Sequence, residues 1–287
     1  MPRNVVRSAI GVAAVTIVLA VVLAGGDPAM AQGRLDARYA VTLAGLPIGK
    51  GAWVIDIAEN QYTAAASGAT SGLLQVFASG QGSGASRGFV VGGTPVPVSF
   101  AASITTRKKT EEIRMTLGSG DVKEFAITPE PEPDSHDDRV PVTVAHRRGV
   151  SDPMTASLVR VPGNGNPLAP QACPQTVSVF DGRIRYNLQF AYKRMEQVKA
   201  EKGYEGQAVV CAVYFTPVAG YVPSRSSIKY LASQRDMEVW LAPIAATRVL
   251  VPFRVSIPTP IGLGVMQATQ FVSVPQPRAA SVSPKTQ

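Results

Sequence analysis

The stretch "RYAVTLAGLPIGKGAWVIDI", residues 38 to 57, has the pattern of two β-strands joined by a turn. Every second position in each half carries a large apolar side chain: Tyr39, Val41 and Leu43, then Trp53, Ile55 and Ile57. A period of two is typical of a strand that is buried on one face. The residues between the halves are types that favour turns, namely Gly45, Pro47, Gly49 and Gly51. The stretch therefore predicts a β-hairpin.

The same alternation continues to Val274, in about a dozen segments separated by short turns. The clearest hairpin signal is Asp181-Gly182, which lies between two long alternating runs. Consecutive strands joined by short turns pair antiparallel, and so many strands must curl to bury one face. The predicted fold is mainly β: a curled antiparallel sheet forming an open or closed barrel-like body with one or two short helices. The best helix start is Ser151-Asp152-Pro153, and the helix is expected to continue through "MTASLVRV".

The N-terminus has the pattern of a signal peptide. Two arginines precede an apolar run from Ala9 to Ala24, and Ala29-Met30-Ala31 supplies an A-x-A cleavage site. An uncleaved anchor is the alternative, but the run is short for a bilayer span of about 20 residues. The predicted organisation is a signal peptide at 1–31, one domain at 32–274 with a Pro-rich acidic loop at 128–141, and a disordered tail at 275–287. No second segment is long and apolar enough to span a membrane.

The chain has two cysteines, Cys173 and Cys211. In an oxidising compartment two cysteines are most simply explained as one structural disulfide, which would contribute about 4 kcal/mol in the chain-entropy description. A redox pair or a metal site is the alternative. Redox thiols usually lie closer together, as in C-x-x-C, and zinc needs more ligands than these cysteines and two distant histidines supply.

The net charge is +8, from 28 basic and 20 acidic residues. Such a surplus favours anionic lipid head groups or acidic glycans as partners. The only basic clusters are Arg107-Lys108-Lys109 and His146-Arg147-Arg148, and we interpret the charge mainly as a contribution to solubility. Nucleic acid is not an expected partner, because no module of stacking aromatic residues accompanies these clusters.

Catalytic patterns are scarce. The sequence contains no G-x-S-x-G, no H-E-x-x-H and no Gly-rich phosphate loop. His136 and His146 are expected at the surface, and the acidic stretch around Asp134 and Asp137 does not predict a specific metal site. Paired carboxylates could still come together from distant strands, with Asp56, Asp181, Glu196 and Glu238 as candidates. We predict a protein that is not an enzyme and has no cofactor or metal.

Aromatic residues recur through nearly every predicted strand. Most must belong to an ordinary core, but a curled sheet of this size can be wider than its side chains fill. The candidate lining of such a concavity is Trp53, Phe100, Tyr186, Phe190, Trp240 and Phe253.

Several segments, in this order, resemble an exported bacterial family catalogued as domain of unknown function 3108. The most specific are "CPQTVSVFDGRIRYNLQF" and "MEVWLAP", with "YAVTLAGLPIGKGAW" and "GVSDPMTASLV" before them. The resemblance covers about Tyr39 to Phe271. It implies a periplasmic envelope protein, and it assigns no catalytic residue because the family has no agreed activity.

Two functional hypotheses follow. The first is a non-catalytic envelope protein that contributes to cell-envelope maintenance by binding envelope proteins, the cell wall or lipid. The second is a carrier of a lipid or other hydrophobic ligand in the concavity of the sheet. Neither the oligomeric state nor the identity of a ligand follows from the sequence.

Overall fold

A computed structural model describes residues 32–71, 80–131 and 138–276. Within these residues the chain forms fifteen β-strands: β1 (Gly33–Leu43), β2 (Leu46–Ile57), β3 (Gln61–Thr70), β4 (Gly80–Val91), β5 (Thr94–Thr106), β6 (Thr110–Gly118), β7 (Asp121–Thr128), β8 (Val159–Arg160), β9 (Gln175–Phe180), β10 (Arg185–Lys199), β11 (Lys202–Gly203), β12 (Glu205–Ala219), β13 (Glu238–Pro243), β14 (Val249–Thr259) and β15 (Gly262–Pro275). The two α-helices are α1 (Pro153–Ala156) and α2 (Ser226–Ser233), and Ala145–Arg147 and Pro170–Ala172 form single 3₁₀ turns.

All the strands belong to one sheet, in the order β7-β6-β5-β4-β3-β2-β1-β15-β14-β13-β12-β10-β9. Neighbours along this path are antiparallel, and two short strands lie off it: β8 pairs with β14, and β11 runs parallel to β15. The N-terminal strand thus pairs with the C-terminal one, with Gly33 opposite Pro275. The prediction of a mainly β, antiparallel fold is confirmed, and the sheet is of the open kind because β7 and β9 do not pair.

Side chains tie the two ends of the open sheet together. The rings of Phe125 on β7 and Phe180 on β9 meet edge to face, with centroids 5.6 Å apart. An ion pair joins Arg183, in the turn after β9, to Glu111 on β6, with Nη2 and Oε2 2.5 Å apart. The segment before α1 bridges the same gap, since Val150 donates its N–H to the carbonyl of Gly120 and Ser151 pairs with Val179. The sheet therefore curls into a barrel-like body without a continuous hydrogen-bonded wall.

The apolar side chains form two clusters. The main core contains inward residues of β1 and β2, such as Leu35 and Ile55, together with Phe253 and Phe271 from the last two strands. The second core packs β12, β13 and β14 against the segment that runs from β8 to the disulfide. Cys173 and Cys211 lie in this second core and are bonded to each other across 38 positions of sequence, which confirms the predicted disulfide.

The opening hairpin has a tighter turn than the sequence predicts. Only Ala44 and Gly45 form it, with φ of +49° and +81°, and two positive φ values match the twist of paired strands. Pro47, Gly49 and Gly51 lie within β2, contrary to the prediction. The strands extend further because Gly49 and Gly51 accept partners on both sides, from β1 and β3.

The helix predicted from Ser151 is shorter than expected. Asp152 is its N-cap, as the motif indicates, but α1 ends after one turn at Ala156. The next residues pair with another strand instead, because β8 hydrogen-bonds to Val249 and Leu250 and buries the side chain of Val159. The sequence does not predict the position of α2, because its N-cap residue, Arg225, provides no side-chain hydrogen bond to the first turn.

The ordered sheet reaches further than the predicted boundary at 274. Pro275 belongs to β15, and Gln276 donates from its backbone to Gln32 and from its side chain to Asp56 at 2.6 Å. The predicted boundary at 274 therefore lies inside β15, which ends at Pro275. The predicted signal peptide at 1–31, the middle of the 128–141 loop and the segment 277–287 lie outside the described residues.

Candidate functional site

A half-enclosed apolar pocket of about 350 Å³ lies between α1 and the second half of the sheet. On one side it is lined by Pro153 and Ala156 of α1. On the other side it is lined by alternating residues of β10, β12 and β14, with Leu231 from α2. The volume is at the lower end of the range for small-molecule sites. The sheet contributes mainly Leu188, Phe190, Val213, Phe215, Val255 and Ile257.

The six residues predicted to line a concavity occupy different surroundings. Trp53, Phe100, Trp240 and Phe253 are buried in the main core. Trp240 lies beneath two guanidinium groups, those of Arg194 and Arg254. Phe190 belongs to the second core, and together with Tyr186 it lines the pocket. The structure thus brings two of the six to this pocket and buries the other four in the main core, where Phe100 also lines a separate, more open pocket of about 700 Å³.

The alternation of β10 explains how the sheet builds its side of the pocket. Tyr186, Leu188 and Phe190 occupy every second position of one strand and hence one face. Their neighbours on β12 are Phe215, opposite Leu188, and Val213, opposite Phe190. The sequence predicts the shared face on β10, and the short turn "KGYEG" predicts that the next strand, 207–216, pairs with it, as β12 does. The sequence contains no signal for the contribution of Leu231 from α2.

Tyr186 gives the pocket a polar group. Its ring lies 5.4 Å from that of Phe215, measured between centroids, and its hydroxyl makes no hydrogen bond to the described residues. Burial raises the pKa of Tyr186, and the nearby charges of Asp181 and Asp152 raise it further. The phenol therefore stays neutral at physiological pH and can donate a hydrogen bond to a ligand.

A buried polar cluster holds α1 in place beside the pocket. Asp152 accepts from the backbone of Met154 and Thr155, at 2.9 and 3.0 Å, and from the hydroxyls of Ser86 and Thr155, at 3.0 and 2.5 Å. Tyr62 hydrogen-bonds to Thr155 at 2.5 Å. Burial raises the pKa of Asp152, against the hydrogen bonds, which favour its ionised form. The cluster joins α1 to β3 and β4 and so fixes one wall of the pocket.

The candidate catalytic carboxylates are paired with cations or cap turns. Glu238 forms a fork with Arg194, at 3.1 Å for both oxygens, and contacts Lys193 at 2.6 Å. Arg194 and then Lys193 lower the pKa of Glu238, so this carboxylate is ionised and cannot serve as an acid at neutral pH. Asp56 pairs with Arg34, and Glu196 with Arg194, both within 3 Å. Asp181 accepts from the backbone of its own turn.

Histidines and metal ligands do not converge in the described part of the chain. His146 lies in the 3₁₀ turn at 145–147, where its Nδ1 is 3.2 Å from the backbone nitrogen of Thr143. In residues 32–71, 80–131 and 138–276 no three acidic, histidine or cysteine side chains come close enough to hold a metal ion. His136, Asp134 and Asp137 lie outside the described residues.

Comparison with solved structures gives a match to a crystal structure described as a beta-barrel-like protein of domain of unknown function DUF1849 from Brucella abortus. The two chains are 9% identical, with a TM-score of 0.42, over 85% of this chain and 98% of the other. No curated protein matches the sequence. None of the described helices is long and apolar enough to cross a membrane.

The sequence itself matches one family over most of its length. Residues 38–269 match the family described as "Protein of unknown function (DUF3108)". The match spans β1 to β15 and includes α1, the disulfide and every strand that lines the pocket. This chain is therefore a member of the DUF3108 family.

Proposed function

We propose that this protein is a non-catalytic protein of the periplasm that binds an apolar chain, such as the acyl chain of a lipid, in the pocket between α1 and β10–β14. The pocket supports this proposal because its walls are mainly apolar. The polar residues of its lining are Ser157, Tyr186, Glu238 and Ser256, and the carboxylate of Glu238 is already paired with Arg194 and Lys193. A site of this composition favours a hydrocarbon chain with few polar contacts. In this proposal the protein contributes to envelope maintenance by holding its ligand away from water.

The periplasmic part of the proposal rests on two features. The signal-peptide pattern at residues 1–31 favours export. The disulfide is compatible with an exported protein, because such bonds persist in oxidising compartments.

The proposal excludes the main core as the binding site. Met154 of α1 and Leu158 after it enter that core, together with Trp53 and Phe100. The interior of the curl at this point is thus occupied by the protein's own side chains. The proposed cavity therefore lies beside α1, and Trp53, which the sequence suggests as part of its lining, does not line it.

Binding of a fluorescent fatty acid tests the proposal. Val213→Trp fills the pocket, and Leu188→Asn makes its wall polar, so each should weaken binding about tenfold or more. The matched control is Val91→Trp, the same substitution at an exposed valine of β4 far from the pocket lining. Wild-type affinity in both folded pocket variants, or an equal loss in the control, would contradict the proposal. Native mass spectrometry of periplasmic material should also show a bound lipid.

Protein partners are a second candidate, which the edge of β7 favours. This strand ends the sheet, pairs only with β6 among the described strands, and is exposed from Lys123 to Ala126. An open strand edge offers unpaired backbone groups to another chain. A photocrosslinker at Lys123 should capture a specific protein in cells, whereas one at Lys50, exposed on the doubly paired β2, should not. The absence of a specific adduct at Lys123 would count against this edge as an interface.

A further inference from the structure

One end of the sheet combines exposed apolar turns with a basic turn. The apolar part consists of Leu46, after the β1–β2 turn, and Ile261 and Leu263, in and after the β14–β15 turn. Their exposed fractions are 64%, 73% and 43%. The two turns are neighbours, because Ala44 donates its N–H to the carbonyl of Leu263 at 2.9 Å. These three exposed apolar side chains thus lie on two adjacent turns at one end of the sheet.

The basic part is the β5–β6 turn, Arg107-Lys108-Lys109, at the same end of the sheet. The register places it there: Gly49 pairs with Thr70, Gly80 with Thr106, and Thr105 with Thr110. Neighbouring strands are about 4.8 Å apart, so this turn lies about 15 Å along the sheet from β2. We call Leu46, Ile261, Leu263, Arg107 and Lys108 together the basic–apolar rim.

The strands behind this rim carry almost no negative charge. No Asp or Glu occurs from Ala37 to Ile55, from Gln61 to Thr110, or after Glu238. The first carboxylates beyond the basic turn are already paired, Glu111 with Lys109 and Arg183, and Glu112 with Arg114. The two exposed apolar turns and the chain on either side of them therefore contain no acidic residue.

We propose that the basic–apolar rim docks the protein onto the surface of an anionic phospholipid bilayer. Exposed apolar side chains flanked by basic ones bind the boundary between head groups and acyl chains, and anionic lipids add electrostatic attraction. A soluble protein partner with an acidic face would satisfy the charges, but it would not account for the exposed apolar side chains that project from the two turns. The inference does not depend on a ligand in the pocket.

The rim is also continuous with the pocket. Ile257 lines the pocket and pairs with Gly264, next to Leu263. A protein docked by this rim would thus hold the lining of its pocket close to the bilayer. If the proposed acyl-chain site is correct, this arrangement gives a lipid a short path between the membrane and the protein.

Sedimentation with vesicles of phosphatidylcholine, with or without phosphatidylglycerol, tests the docking. The wild type should bind the anionic vesicles, bind the neutral ones far more weakly, and be released by high salt. The apolar variant Leu46→Ser/Ile261→Ser should weaken binding about tenfold or more. Its matched control is Phe89→Ser/Val91→Ser, an equally exposed apolar pair (59% and 63%) at the opposite end of the sheet, which should bind like the wild type.

The charge variant is Arg107→Gln/Lys108→Gln, with an expected loss of about fivefold for each charge removed. Lys199→Gln/Lys202→Gln, near the β10–β12 connection at the opposite end, is its control. Far-UV circular dichroism confirms that each variant is folded. No binding of the wild type to anionic vesicles, or equal losses in the rim variants and their controls, would overturn the inference. The pocket variant Val213→Trp should still bind vesicles, so failure of the proposed ligand site is distinguishable from failure of docking.

Discussion

At the scale of single residues, Asp152 is the most constrained polar group. It is fully buried and accepts two backbone and two hydroxyl hydrogen bonds. Asp152→Ala removes the cap of α1 and leaves these donors without a partner, so we expect a loss of about 3 kcal/mol in unfolding free energy. Urea denaturation of the wild type and the variant measures this loss. Asp236→Ala, at an exposed aspartate, should change stability by less than about 0.5 kcal/mol, and equal effects would show that burial is not the cause.

The ion pairs of Glu238 predict how the stability of the protein depends on pH. Its pKa is lowered below the ordinary value of 4.5, first by Arg194. The unfolded chain therefore binds more protons than the native state in acid, and the stabilisation by this group is complete above about pH 4.5 and is lost as the pH falls further. The free energy of unfolding of the wild type should exceed that of Glu238→Gln by about 1 kcal/mol at neutral pH, and this difference should become smaller in acid.

Denaturation of both proteins across this pH range measures the effect of Glu238. Glu205→Gln is the control, because the Glu205–Lys199 pair is largely exposed and should contribute close to nothing. A difference between wild type and Glu238→Gln that stays constant down to strong acid would refute the pairing as its source.

At the scale of elements, Gly220 packs its backbone directly against the turn after β9. It follows β12 with φ of +81°, and a β-carbon there would overlap the carbonyl oxygen of Arg183. Gly220→Ala combines a strained backbone with backbone overlap, so we expect a loss of about 3 kcal/mol or more. Gly163→Ala, with φ of +75° and open space around it, should cost only about 1 kcal/mol. Thermal unfolding of the two variants measures both losses in unfolding free energy. Similar losses would show that the positive φ, and not the overlap with Arg183, is the cause.

The elements also show why some local predictions succeeded and others did not. The β9–β10 hairpin was predictable because Asp181 and Gly182 define the turn by themselves: Asp181 accepts from the next backbone N–H groups, and Gly182 has a positive φ. The end of α1 was not predictable from the sequence, because α1 ends where β8 begins to pair with β14, ninety positions away in sequence. Local turn chemistry is visible in neighbouring residues, whereas a tertiary strand partner is not.

At the scale of the whole molecule, the open sheet depends on contacts between its two ends. Phe125 on β7 contacts the ring of Phe180 and lies beneath the guanidinium of Arg147. Phe125→Ala should release this end of the sheet, with hydrogen exchange in β7 accelerated about fivefold while the central strand β14 is unchanged. Phe89→Ala, at an exposed phenylalanine of β4, should leave hydrogen exchange unchanged in both β7 and β14. A uniform acceleration would mean that the contact stabilises the entire sheet.

The fold class, the disulfide and the family could be predicted from the sequence alone, because each depends on information carried along the chain: the period of two, the count of cysteines and the order of the motifs. Which aromatic residues fill the core and which line a pocket depends instead on how the strands fold against each other. Tyr186 and Trp240 look alike as members of alternating strands, but one lines a pocket and the other lies beneath two arginines in the core. The curl of the sheet and the position of α1 place different elements against each strand. These contacts join residues that are far apart in the chain, so neighbouring residues do not reveal them.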